Sequence, residues 1–184
     1  MGAQDLSAEY SGGLDTNGGK DGDYTYVWQG DVTHAVFQVG TLMPNSQTDP
    51  QQNNKRMHID NNLVTIVFND STVPFERGWL GGAVNYVFIT VSPMGESAYR
   101  IGMNTKEGMD SVISLAEERI VSAECVGVYC RMLAIHANLA SRVHRKLSGS
   151  WEERLKLLKT IATKHADNTS VPTNNPTVDF TNFA

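Results

Sequence analysis

Two hydrophobic periods succeed one another along the chain. Up to about residue 103 the apolar positions fall in short runs of β-branched and aromatic residues, broken by Gly, Pro, Asn and Asp; beyond residue 123 they recur every third or fourth position. Runs of the first kind predict strands and those of the second predict helices. Tyr24 to Trp28 has strand character. Residues 31–44 fit either element, and their β-branched content with the Thr41-Leu42-Met43-Pro44 ending inclines them to strand. Residues 63–68, closed by Asn69-Asp70-Ser71, set Leu63, Thr65 and Val67 on one side and Val64, Ile66 and Phe68 on the other. Both sets are mostly apolar, which predicts the most buried strand, inside a sheet covered on both faces. Residues 85–91, stopped by Pro93, and residues 99–103 predict two more strands. Residues 108–119 have helical spacing, and 118–122 fit a helix end or a short strand.

Residues 124–147 form the clearest helix. Tyr129, Met132, Leu133, His136, Leu139, Ala140 and Val143 follow the spacing of a core-facing stripe, which makes His136 a core histidine. Ser148-Gly149 ends that helix. Ser150 with Glu153 predicts a capping box for a last helix over 151–165. Strands early and helices late predict an α/β or α+β domain with a mixed sheet. Residues 1–23, rich in Gly, Asp and Ser, read as a flexible arm, 24–165 as the folded domain, and 166–184 as a polar, disordered tail.

Composition narrows the function classes. The 184 residues with 40% hydrophobic content allow one sizeable core. A net charge of −5 gives no support to a general nucleic-acid binder. No apolar run approaches the roughly 20 residues that span a bilayer. Cys125 and Cys130 are the only cysteines and do not share a helix face, which argues against a disulfide or zinc site and fits a reducing cytosolic compartment. Gly78 to Gly82 lacks the Lys-Ser or Lys-Thr of a phosphate loop, and the histidines are scattered. Arg142, His144, Arg145 and Lys146 read as a solvated helix end.

One polar stretch holds the candidate chemistry. Asp49-Pro50 predicts an N-cap with Pro in the first turn, and the helix it opens runs to about Asn61, where Asn61-Asn62 offers a left-handed terminator. His58 and Asn61, three apart, share one face of that helix. Read from the residues alone, this is either a terminating turn with a partly exposed histidine or a site that positions a reacting group. A carboxamide both donates and accepts, so it can hold a water in line with a phosphoryl group, and it acts by positioning, not as a base.

Residues 58–71, His-Ile-Asp-Asn-Asn-Leu-Val-Thr-Ile-Val-Phe-Asn-Asp-Ser, resemble the signature of the Rap-GAP family, and within it the tuberin type. Residues 30–44 and 133–144 resemble the segments that precede and follow that signature, and the likeness spans about 22–162. The resemblance implies an α/β domain with a central mixed sheet flanked by helices, long C-terminal helices among them. It implies stimulation of GTP hydrolysis on a Ras-like small GTPase, of Rheb type for the tuberin branch, in TOR signalling. GTP and Mg²⁺ belong to that partner, so no cofactor and no independent enzymatic chemistry are expected of this chain. Further subunits of a tuberin-type complex are implied, with a cytoplasmic location and recruitment to the lysosomal or vacuolar surface. By position in the motif, Asn61 is the catalytic "asparagine thumb" and His58 its supporting residue, while Lys55, Arg56 and Asn62 contact the GTPase. Asp60 and Asn62 stand where the family usually has Gly and Asp. These departures favour the alternative, a non-catalytic GTPase-binding or scaffolding module. If the family Gly has positive φ, Asp60 is expected to be strained.

Overall fold

The computed structural model describes residues 3–5, 11–15, 18–80, 82–114, 118–145 and 149–166, with the side chains of 3–5, 149–154 and 164–166 excepted. The chain divides into two compact units, residues 1–145 and 146–184. In the first, β1 (Ala3–Asp5), β2 (Tyr24–Gln29) and β3 (His34–Phe37) make an antiparallel sheet in the order β1-β2-β3. Helix α1 (Asn53–Asp60) follows. Then β4 (Val64–Phe68), β5 (Val87–Pro93), β6 (Ala98–Thr105) and β7 (Arg119–Ser122) form a mixed sheet in the order β4-β5-β6-β7. β4 runs parallel to β5, and the other two pairings are antiparallel. Helix α2 (Ala123–His144) packs on this sheet, and the second unit holds α3 (Gly149–Ala166). Among the described residues no helix is long and apolar enough to cross a membrane.

The core lies between α2 and one face of the mixed sheet. Val87, Ile89, Val91 and Ile101 meet Cys130, Ala137 and the fully buried Met109 there. The small residues Cys130, Ala137 and Ser141 are the buried positions of α2, so the helix sits low on the sheet. Of the predicted stripe, Tyr129, Leu133 and Ala140 pack against this core, partly buried beside those small residues, and the rest lie off it. Met132, Leu139 and Val143 are exposed, and so is His136, which is not a core histidine. Apolar residues occupy both sides of α2, and large side chains drew the stripe away from the small ones that pack closest.

The predicted order of burial also changes. β4 is an edge strand, with Ile66 39% and Phe68 61% exposed, and β5 is the buried one, with Val87, Phe88 and Ile89 at 1% or less. Apolar residues on both faces of a run do not distinguish a central strand from an edge with uncovered side chains. The described residues of the stretch predicted as a helix, 108–114 and 118–119, are not α-helical. Gly108 adopts φ +81, one 3₁₀ turn (Met109–Ser111) plugs Met109 into the core, and β7 follows, which resolves 118–122 as strand.

A parallel pair needs a crossover between its strands. Here residues 75–79 of that connection lie against Phe88, whose side chain faces away from the core under α2. Phe75 lies 5.3 Å from Phe88 and 5.8 Å from Trp79, ring centre to ring centre, and the Arg77 guanidinium sits 5.5 Å over Phe88. Near the N-terminus, Leu14 and Asp21 are buried and β1 pairs with β2, so those described parts of the stretch read as a flexible arm pack on the domain. The tail from 167 on, and the side chains of the proposed Ser150–Glu153 capping box, lie outside the described residues.

The two thiols occupy opposite environments on α2. Cys125 is exposed, whereas Cys130 is buried, and its burial pushes the thiol pKa up. Ellman's reagent near neutral pH is expected to modify one thiol rapidly and the second only on unfolding. Cys125→Ala is expected to remove the rapid phase, and its survival in that variant would reverse the assignment.

Candidate functional site

α1 is short and polar, with no buried residue. An isolated helix of this length is unstable in water, so neighbours must hold it. At its start Gln52 takes the cap position with φ 55 and no side-chain cap. Asp49 is not the cap residue the sequence suggested, but its side chain does the capping. Its Oδ2 accepts the Asn54 N–H at 2.9 Å, and its Oδ1 accepts from Asn53 Nδ2 at 3.1 Å. The Asn54 backbone N–H, foremost, holds the Asp49 carboxyl below its ordinary 3.8. This stabilisation is complete above the ordinary value and lost as pH falls through the depressed one. An NMR titration of Asp49 is expected to give a midpoint below 3.8 in the parent, and Asp49→Asn is expected to abolish the acid-side loss of α1 amide protection.

At the other end, Asn61 closes the helix with φ −92 and ψ 1, not in the left-handed conformation. The terminal carbonyls need nothing from its side chain, since its own backbone N–H and two neighbouring amides serve them. Asn62 Nδ2 donates to His58 O at 2.9 Å, Asn62 N donates to Ile59 O at 3.3 Å, and Asn85 Nδ2 donates to Ile59 O at 3.0 Å. Asp60 ends the helix without positive φ, so the strain expected of it is absent. Its Oδ1 is buried without a hydrogen-bond partner.

The candidate residues separate by environment. His58 is mostly buried, and its Nε2 lies 2.9 Å from Asp21 Oδ2, which also accepts the Asp15 N–H at 2.8 Å. Asn62 is half-buried, and its amide also donates to Gln38 Oε1 at 2.7 Å, while Gln38 Nε2 donates to Gly12 O at 2.8 Å. Lys55 Nζ donates to Asn45 Oδ1 at 2.5 Å. Arg56 and Asn61 are exposed, and Asn61 has no side-chain hydrogen bond among the described residues. His58 and Asn61 are thus adjacent on the helix but not joined. A polar cavity of about 380 Å³ lies at the opposite end of α1, lined by Lys20, Asp21, Asp49, Gln52 and Lys55 among others, and does not enclose Asn61. Asp21, Gln38 and Asn85 were not foreseen as supports. A lone Asn opening an apolar run was the only signal for Asn85, and nothing local marked the other two. Among the described residues no cluster of His, Cys, Asp and Glu has the makings of a metal site.

An α/β domain that braces a short polar helix at the edge of its sheet and leaves one carboxamide free at the helix end is suited to offering that group to a partner. The chain belongs to the Rap/ran-GAP family, whose sequence model matches residues 4–160. It is 32% identical over 84% of its length to the tuberous sclerosis 2 protein homolog of Schizosaccharomyces pombe, and 28% identical over 88% to Ral GTPase-activating protein subunit alpha-1 of Homo sapiens. It spans only 12% and 8% of those proteins. A solved structure of the TSC2 GAP domain matches with a TM-score of 0.71 and 30% identity, covering 79% of this chain and 78% of that one. The mixed sheet with flanking helices is the fold of that domain.

Proposed function

We propose that this domain accelerates GTP hydrolysis on a Ras-like small GTPase of Rheb type, with Asn61 as an asparagine thumb. The observation that carries the reading is the exposed, unengaged carboxamide of Asn61 at the end of a helix braced on both sides. In this reading the domain docks on the switch regions and Asn61 enters the nucleotide site. There its amide orients the attacking water or steadies the transferring phosphoryl group. GTP and Mg²⁺ come with the GTPase. His58, held by Asp21, supports the helix, and Lys55, Arg56 and the Asn62 neighbourhood meet the partner's surface. Membership of a tuberin-type complex, a role in TOR signalling and recruitment to a lysosomal or vacuolar membrane belong to the same reading.

The second reading is a module that binds the GTPase without activating it. Asp60 favours it, because a carboxylate now stands beside the thumb. Its Oδ1 is buried and not turned toward solvent, which favours the catalytic reading. The deciding experiment is single-turnover hydrolysis of GTP on Rheb with saturating domain, alongside direct binding. Acceleration of at least about a hundredfold, within reach of what GAPs supply, supports the first reading. Binding without acceleration selects the second.

A further inference from the structure

Asn85 is 1% exposed two residues before the most buried strand, and although its Oδ1 is buried without a partner, its NH₂ is fully engaged. Its Nδ2 faces three acceptors, Ile59 O at 3.0 Å, Asn62 O at 2.8 Å and Thr65 Oγ1 at 3.1 Å, and its two hydrogens are shared among them. Those three acceptors belong to the last turn of α1, the turn after it, and β4. The two carbonyls bracket Asn61, one two residues before it and the other one after. Two carbonyls facing one nitrogen fix which way the amide points, since only the NH₂ can donate to both. The segment carrying Asn85 is itself secured. Tyr86 N and Val87 N both donate to Leu63 O, at 2.8 and 3.0 Å, and Arg77 Nη2 donates to Asn85 O at 2.7 Å. Gly82 completes the fit, since a Cβ there would stand 2.0 Å from Asn85 Oδ1 and 2.4 Å from Asp60 O. The crossover and the helix end therefore touch backbone to side chain, with no room between them.

We infer that Asn85, seated against Gly82, is the positioning residue for Asn61, locking the carbonyls on either side of it to the sheet so that the thumb enters the partner's site at a fixed height and angle. This rests on the reading of Asn61 as the thumb. Asn85 never meets the GTPase, so it sets the maximal rate and not the affinity. Displacement of a reacting group by about 1 Å can cost about a hundredfold in rate.

The test is Asn85→Asp, which keeps the shape but replaces both donated hydrogens by a carboxylate oxygen that the two carbonyls repel. Single-turnover hydrolysis on GTP-loaded Rheb is read at saturating domain, beside equilibrium binding and hydrogen exchange of the Asn62 amide. The expected result is a maximal rate lowered by about ten- to a hundredfold, affinity within about twofold, faster exchange at Asn62, and no further loss when combined with Asn61→Ala. Should Asn85→Asp not fold, Gly82→Ala keeps every hydrogen-bonding group while pushing the two elements apart, and the same pattern is expected of it. An unchanged rate, an affinity that falls as far as the rate, or a loss that adds to that of Asn61→Ala would overturn the inference. If the parent itself fails to accelerate hydrolysis, the reading of function fails and exchange still decides the anchoring, since unchanged protection at Asn62 would refute it.

Discussion

Asn61→Ala is expected to lose about a hundred- to a thousandfold in maximal stimulated hydrolysis, the usual cost of removing one preorganised hydrogen-bonding group from a charge-developing transition state. The structure says why the loss comes without unfolding. The Asn61 side chain is exposed and holds nothing inside the domain, so its removal leaves no buried group unpaired. The melting temperature and the binding of the GTPase are expected to stay close to the parent's. Its neighbour is the natural control. Asn62 ties Gln38 to the last turn of α1, at 2.7 and 2.9 Å, so Asn62→Ala should loosen the helix and show in hydrogen exchange as well as in rate. The two adjacent asparagines thus predict different signatures, rate alone for Asn61 and rate with protection for Asn62. Stimulation that survives in Asn61→Ala would remove this residue from the mechanism.

The candidate site was legible in the sequence as a stretch but not as a structure. The polar helix, the strand after it and the position of Asn61 at their junction all follow from local pattern. What holds the helix does not. Asp21 reaches His58 across 37 positions, Gln38 reaches Asn62 across 24, and Asn85 reaches Ile59 across 26. Each is a polar residue outside the motif stretch, and no periodicity encodes such pairs. The same holds for Asp60. The sequence suggested strain from a missing glycine, whereas the helix simply extends through it with negative φ.

For the fold, element type was readable wherever a period ran long enough, as in α2 and β5. Burial was less so. β4 and β5 have equally apolar runs, yet only β5 has a strand on each side. Pairing decides that difference, and pairing depends on a crossover whose path over the sheet the sequence did not show.

That crossover provides the second large effect. Phe88 is 1% exposed, under Phe75 and the Arg77 guanidinium. Phe88→Ala is expected to cost about 3–5 kcal/mol, the usual range for emptying an aromatic site in a packed core. A domain of this kind is stable by only about 5–15 kcal/mol, so the variant should unfold at a much lower urea concentration. Phe68, 61% exposed on β4, offers the comparison, since sequence alone ranked it no lower than Phe88. Phe68→Ala is expected to stay within about 1 kcal/mol of the parent. Equal losses for the two would mean that β4 is covered in solution and that β5 is not the more buried of the two strands. A large loss at Phe88 alone would place the anchor of the crossover there, three residues from the Asn85 amide that holds the end of α1.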